Sequence, residues 1–400
     1  MKQLIRFAGI ASIALFAAHC ANLNPSGEDA IALKSPNLPA QAYDYASRAI
    51  VPIIGDNNGG GIFIDPPINI DPLPGGFGTP EIAVTNDGAT LGRVLFYDAR
   101  LSANNVISCG SCHKADKGFG DDTNLTVGFK GMVTKRNSMP IANLGLQKGF
   151  FWVNNENPLK TQVLNPVRNH LEMGMEDVSV LVSKLEKVDY YPALFQKAFG
   201  SSEITEDKIS DAITQFLFSM TSQTSKFDRV SQFGGINGMP AAQLTSIEKA
   251  GAELFDSERL KCGSCHHPTS SVFAMGGDDG YGGSIVPPDL GRGTNIGLNM
   301  VDTDLGNGGG GFKIPNLRNV AITAPYMHDG RFTSLEQVIE HYNTGVKDNA
   351  RLDSRLRSAS GEPVRLNLSS FEKEALIAFL NTLTDYEFIA DPKFSDPFKQ

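Results

Sequence analysis

Two stretches of the chain carry apolar residues at helical spacing, and they stand at matching places in it. Thr205 to Met220 carries Ile209, Ile213, Phe216, Leu217 and Met220. Ser369 to Leu383 carries Phe371, Leu376, Phe379, Leu380 and Leu383. Residues three and four apart share one face of a helix, so each stretch reads as an amphipathic helix with its stripe in a core. Ser369 followed by Glu372 is a capping box that starts the second helix.

A second pattern precedes each helix and also repeats. Gly92-Arg93-Val94-Leu95-Phe96, with Leu101 five residues after Phe96, is echoed by Gly251-Ala252-Glu253-Leu254-Phe255, with Leu260 five after Phe255. Each reads as a short helix that presents Leu and Phe inward. Each then leads to the same pentapeptide, Cys109-Gly110-Ser111-Cys112-His113 and Cys262-Gly263-Ser264-Cys265-His266. The repeat divides the body at 86–238 and 239–388, with Phe233-Gly234-Gly235 to Met239-Pro240 as linker. Pro, Gly and Asn dominate 21–85, which reads as a tether and wrapping segment with Tyr43, Tyr45 and Ile50 to Ile54 able to pack on the body. Residues 276–312 are Gly-rich and read as a long surface loop, and 389–400 as a draped tail.

C-x-x-C-H is the attachment signature of a c-type haem. Two thiols add to the vinyl groups, and the adjoining His turns its imidazole onto the iron. A zinc site or a disulfide pair would also use cysteines. The His follows the second Cys directly both times, and the two motifs use every cysteine but Cys20. Two covalent haem c groups are therefore expected. They also answer a packing problem, since short helices bury too little surface without a macrocycle between them. The predicted fold class is mainly α: two cytochrome c-like haem domains with long loops and an extended N-terminal segment.

Charge and the first residues place the chain. The net charge of -9 over 400 residues argues against nucleic acid as a partner and favours a basic electron-carrier protein. Lys2 and Arg6 precede an apolar run from Phe7 to Ala18, too short for a membrane span, which reads as an export signal ending near residue 20. Leu15-Phe16-Ala17-Ala18-His19-Cys20 resembles a bacterial lipobox, although His19 departs from the small residue expected there. The expected location is the periplasm, with Cys20 as a lipid-anchor site.

The residues around the two haem motifs carry a family resemblance. After the first come Val127-Gly128-Phe129-Lys130-Gly131, Arg136-Asn137-Ser138-Met139-Pro140, Phe151-Trp152, Gln162, Pro166 and Asn169-His170-Leu171-Glu172-Met173-Gly174. After the second come Phe312-Lys313-Ile314-Pro315-Asn316-Leu317-Arg318-Asn319, Tyr326-Met327-His328-Asp329-Gly330 and Glu340-His341-Tyr342-Asn343. From about Gly88 to Phe388 the chain resembles the bacterial dihaem cytochrome c peroxidase family, which includes MauG.

The resemblance implies roles. The haem on Cys109 and Cys112 is the peroxidatic one, with His113 on its iron. Typical members place a His after the Gly equivalent to Gly128. Phe129 stands there and cannot ligate, which implies an open face without reductive activation, with His170 as the only other His nearby in sequence. Gln162, Pro166 and Glu172 match the distal pocket, Glu172 as the acid/base that moves a proton between peroxide oxygens. Phe151-Trp152 runs into Val153-Asn154-Asn155-Glu156 where the family has Asp-Gly-Arg, so the adjacent loop is altered. Trp152 matches a Trp that sits between the haems as an electron relay. On the second haem, held by Cys262, Cys265 and His266, the distal ligand falls fourteen residues after His328, at Tyr342. Ordinary peroxidases carry Met there and MauG carries Tyr; Met327 and His341 are rival ligands. A calcium ion is implied at Asn137, Thr323 and Pro325. The implied activity is reduction of hydrogen peroxide to water with electrons from a small cytochrome c or cupredoxin. The alternatives are a MauG-like oxidase acting on Trp or Tyr of a partner protein, and an electron-transfer cytochrome without catalysis. Family members are often homodimers.

Overall fold

Two helix pairs built alike organise the chain. The computed structural model describes residues 34–54, 61–63, 79–80, 82–147, 149–153, 157–230, 243–266 and 294–399. The first half contains α1 (Asn86–Tyr97), α2 (Cys109–Cys112), α3 (Leu159–Gln162), α4 (Asn165–Arg168), α5 (Val178–Glu186), α6 (Tyr191–Phe199) and α7 (Glu206–Ser219). The second contains α8 (Ser246–Phe255), α9 (Leu335–Glu340), α10 (Ser370–Asn381) and α11 (Tyr386–Ala390). The fold is mainly α, as the periodicity predicts. The one sheet among the described residues is short and antiparallel. In it β1 (Ile50–Ile54) lies between β2 (Gly61–Phe63) and β3 (Thr79–Pro80), with Val51 opposite Ile62 and Ile53 opposite Pro80.

The predicted helices start where their caps say. Thr205 accepts from the Lys208 N–H at the head of α7. Ser369 and Glu372 complete a reciprocal capping box at α10. Ile209, Ile213, Phe216, Leu217 and Met220 are all buried, as are Leu376, Phe379, Leu380 and Leu383. Phe371 is not: it is 57% exposed. It stands in the first turn of α10, one turn before buried Ala375.

The repeat in the sequence is a repeat of one helix crossing. α1 packs on α7, and α8 on α10. A Cβ at Gly92 would fall 1.9 Å from the Ala212 carbonyl, and one at Gly251 falls 1.9 Å from the Ala375 carbonyl. Only glycine lets either pair approach so closely. Gly251→Ala is expected to lower unfolding free energy by about 1–3 kcal/mol through overpacking, read from the midpoint of chemical denaturation. An unchanged midpoint would show that the crossing relaxes freely.

The chain ends do not respect the halves. Phe388 of α11 and Phe394 beyond it are buried in the first core, against Phe119 and Phe216. The Tyr97 hydroxyl donates to the Phe394 carbonyl at 2.6 Å, and Arg93 Nε to the Ser395 carbonyl at 2.7 Å. Tyr45 joins the same core, 1% exposed, and its hydroxyl donates to the Lys393 carbonyl at 2.9 Å. The segment expected to drape is therefore core. Buried Arg318 pairs with buried Asp228 and ties the halves together. The export segment with Cys20, the linker and residues 276–293 of the Gly-rich loop lie outside the described residues. The described end of that loop is mixed: Thr294, Asn295 and Phe312 are buried, whereas Met300, Val301 and Leu305 are exposed. No described helix is long and apolar enough to cross a membrane.

Candidate active site

The first haem motif is shaped by one turn of helix. α2 runs from Cys109 to Cys112, so the two thiols, three apart, stand on one face. His113 caps it, and its Nδ1 lies 3.0 Å from the Phe119 carbonyl. A carbonyl only accepts, so Nδ1 carries the proton and Nε2 is left as a ligand. Burial lowers the His113 pKa, which keeps the ring in its neutral, ligating form. The Tyr97 ring packs against Gly110, where a Cβ would meet it at 2.4 Å. Burial pushes the thiols of Cys109, Cys112 and Cys262 up to about 12. No cluster of three or more His, Cys, Asp or Glu among the described residues is arranged to hold a metal ion. Two cysteines three apart on one helical face, with a His directly after the second, suit covalent haem attachment.

Glu172 lies within electrostatic reach of this motif. Its negative charge adds to the burial that raises both Cys109 and Cys112. Burial also raises Glu172 itself, against a lowering bond from Asn169. The short helices α3 and α4 bring the other distal residues alongside. Pro166 accepts from the Met173 N–H at 3.3 Å. Gln162 is 2% exposed; its Nε2 donates to the Asn157 carbonyl, and its Oε1 is buried with no partner. Phe129 lies against the same loop. Its N–H donates to the Glu172 carbonyl at 2.9 Å, and its ring occupies the space a Cβ on Gly174 (φ +67°) would take. His170 is exposed to solvent.

Asn169 has a role that residue type alone did not reveal. Its carbonyl accepts from the N–H groups of Glu172 (3.0 Å) and Gly174 (2.9 Å), and its Oδ1 from the Leu171 N–H (3.0 Å). Its Nδ2 donates to Glu172 Oε1 at 2.9 Å. One residue, through its carbonyl and its side chain, thus braces the loop and holds the carboxylate. The signal in the sequence was an Asn three residues before a Glu in a Gly-terminated turn. Asn169→Ala is expected to move the acidic limb of the pH–rate profile to higher pH, because the bond that lowers the Glu172 pKa is gone. A purely structural role would reduce rate without moving that limb.

The second motif lines a cavity of about 460 Å³, within the usual ~300–1,000 Å³ of cofactor sites. Cys262, Cys265 and His266 form part of its wall, with Phe255, Leu260, Ile339 and Leu380. Apolar walls around two thiols and an imidazole fit a porphyrin. Tyr342 lines the same cavity from a π-helical turn, His341–Gly345, a geometry that recurs at functional sites. Burial raises its phenol, with the nearby Cys265 and Cys262 adding to the shift. Met327 also lines the cavity. His341 is turned elsewhere, its Nε2 donating to the Ile296 carbonyl at 3.0 Å.

Trp152 bridges the halves. Its Nε1 donates to the Asn137 carbonyl at 2.8 Å, and the Asn137 N–H to the His328 carbonyl at 2.8 Å. The indole stands edge-on to Phe312 and to His328, which stack at 3.8 Å. Asn137, Thr323 and Pro325 line the same cavity as Trp152. The Asn137 Nδ2 donates to the Thr123 and Asn124 carbonyls, which turns its Oδ1 the other way.

These features define a c-type dihaem oxidoreductase. The family described as di-haem cytochrome c peroxidase matches residues 86–234. A cytochrome c551 peroxidase of Nitrosomonas europaea is 34% identical over 266 residues, covering 66% of this chain and 73% of that protein. The methylamine utilization protein MauG of Methylorubrum extorquens is 30% identical over 302 residues, covering 75% and 79%. A solved MauG-like protein associated with microbial copper homeostasis is 33% identical with a TM-score of 0.66, covering 79% of this chain and 94% of that one. The chain belongs to the di-haem cytochrome c peroxidase family, and it is an oxidoreductase with two haem c groups.

Proposed function

We propose that the protein reduces hydrogen peroxide to water with electrons from a small cytochrome c or cupredoxin. The observation that carries this reading is Glu172, a half-buried carboxyl with raised pKa, held by Asn169 within electrostatic reach of Cys109 and Cys112. Two electrons and two protons convert one peroxide into two waters. The bound haems supply the electron chemistry and the iron at which the O–O bond breaks. Glu172 takes the proton from one peroxide oxygen and delivers it to the other, which leaves as water. Gln162 presents a buried amide oxygen, and the Pro166 carbonyl braces the loop that carries Glu172 through the Met173 N–H. Phe129 offers no ligand to the haem that Cys109, Cys112 and His113 would hold, and it packs on the loop that carries Glu172. Cys262, Cys265 and His266 would hold the haem that takes up electrons, and Trp152, which lines the same cavity, would relay them toward the first half. Steady turnover of peroxide with reduced cytochrome c tests this reading; two intact haems without turnover on any reduced carrier would end it.

Tyr342 in the second cavity supports a second reading, a MauG-like oxidase that withdraws electrons from Trp or Tyr of a partner protein. A phenolate ligand stabilises oxidised iron and suits sharing of oxidising equivalents between centres. Under this reading the diferric protein reacts with peroxide without prior reduction and persists oxidised until a protein substrate is added.

Calcium fits at Asn137, through its amide oxygen, and at the Thr323 and Pro325 carbonyls, with waters completing an oxygen shell. Removing it with a chelator is expected to lower turnover, reversed by calcium and not by magnesium, which demands a tighter octahedral shell. Metal analysis of the purified protein without calcium, and indifference to chelator, would remove the site. Export to the periplasm with a lipid on Cys20, and a homodimer, complete the proposal.

A further inference from the structure

Two lysines of the described residues have their ammonium groups bonded only to neutral oxygens, and they differ in one respect. Lys184 is saturated: its Nζ donates to the Arg100 carbonyl (2.9 Å), the Ser102 carbonyl (2.8 Å) and Asn105 Oδ1 (2.7 Å). Lys313 donates to two acceptors only, Gln147 Oε1 and the Gly149 carbonyl at 3.1 Å. An ammonium has three N–H donors, so one is left over. No carboxylate of the described residues pairs with Lys313, whereas buried Arg318 has Asp228 and Lys114 has Asp121. The residue as a whole is half-buried, but its charged end is enclosed, and burial alone lowers the pKa to about 7. Lys313 lines the cavity that Cys262, Cys265 and His266 also line.

We propose that Lys313 is the anchor for a propionate carboxylate of the second haem. Thioether links hold the vinyl edge of a c-type haem at its two cysteines. The propionates leave the opposite edge of the ring, so they cross the cavity away from Cys262 and Cys265. A carboxylate is the ligand an enclosed ammonium with a spare donor selects, because it supplies the missing acceptor and the missing charge together. The anchor also has a second hold. The Lys313 N–H donates to the Trp152 carbonyl at 2.9 Å, and its Nζ grips Gln147 and Gly149 just upstream. One residue thereby ties the porphyrin edge to the segment that carries Trp152.

The inference rests on the two haems and not on peroxide turnover, so the test needs no substrate. Lys313→Gln is compared with the unaltered protein, both with two haems by the pyridine haemochromogen assay. The propionate-bending band in resonance Raman spectra should shift, because it reports hydrogen bonding to that carboxylate. The reduction potential of one haem should fall, because a cation near the ring favours the ferrous state, while the other stays unchanged. A folded variant that loses only the second haem supports the anchor as well. An unmoved band with both potentials unchanged overturns it. If Lys313→Gln is not recovered folded, Lys313→Arg is read instead. A displaced band then supports the anchor, since a guanidinium meets the carboxylate in another geometry, and an unmoved one overturns it.

Discussion

Glu172→Gln is expected to lower kcat for peroxide by about a hundred- to ten-thousandfold, the usual worth of a positioned acid/base. The substitution is chosen for its shape. Gln keeps the oxygen that accepts from Asn169 Nδ2, so the loop from Asn169 to Gly174 stays folded. What goes is the capacity to carry a proton. Both haems remain attached, so the loss appears in rate and not in the absorption spectrum. The pH profile gives a second reading. Burial raises Glu172, so the carboxyl is protonated at a higher pH than an ordinary carboxylate. The base form is therefore lost as pH falls through that raised pKa, and the rate of the unaltered protein falls with it. The variant should show no such limb. Wild-type turnover by Glu172→Gln would remove the proton-shuttle role and leave the carboxyl a loop brace.

Tyr342→Met is expected to raise the reduction potential of the second haem by on the order of 0.1 V or more, given that axial ligands move haem potentials over ~0.8 V. A thioether favours the ferrous state, a phenolate the ferric. The cavity accommodates the change, since Met is flexible and the wall includes Ile339, Val338 and Leu380. Spectroelectrochemistry reads the potential, and electron paramagnetic resonance reads the change of ligand on the same sample. An enzyme reading with Tyr342 off the iron predicts neither change. Met327, on the same wall, then becomes the ligand to replace.

Much of the architecture was legible because local rules were obeyed. Ser369 with Glu372, and Thr205, mark helix starts by hydrogen bonds within four residues. The stripes from Ile209 to Met220 and from Leu376 to Leu383 follow from helical geometry alone. Phe371 misled because it stands in the first turn of α10, where helical spacing does not say whether a neighbour covers it. Asn169 was visible as a letter, but its four bonds depend on how one loop closes on itself. Phe388, Phe394 and Tyr45 meet in the first core from opposite ends of the chain, which no pattern along it announces.

The sequence by itself determined the covalent chemistry: two C-x-x-C-H motifs, a Phe where a ligand is customary, and two similar helical halves, all set by spacing within a turn or two. Tertiary structure alone decided what those parts face. It set Glu172 within electrostatic reach of Cys109 and Cys112, put Tyr342 in the cavity of Cys262, and enclosed Lys313 beside the Trp152 segment. The reason is that charge, burial and hydrogen-bond supply at a residue come from neighbours distant in the chain, and only the packed fold brings those neighbours within reach.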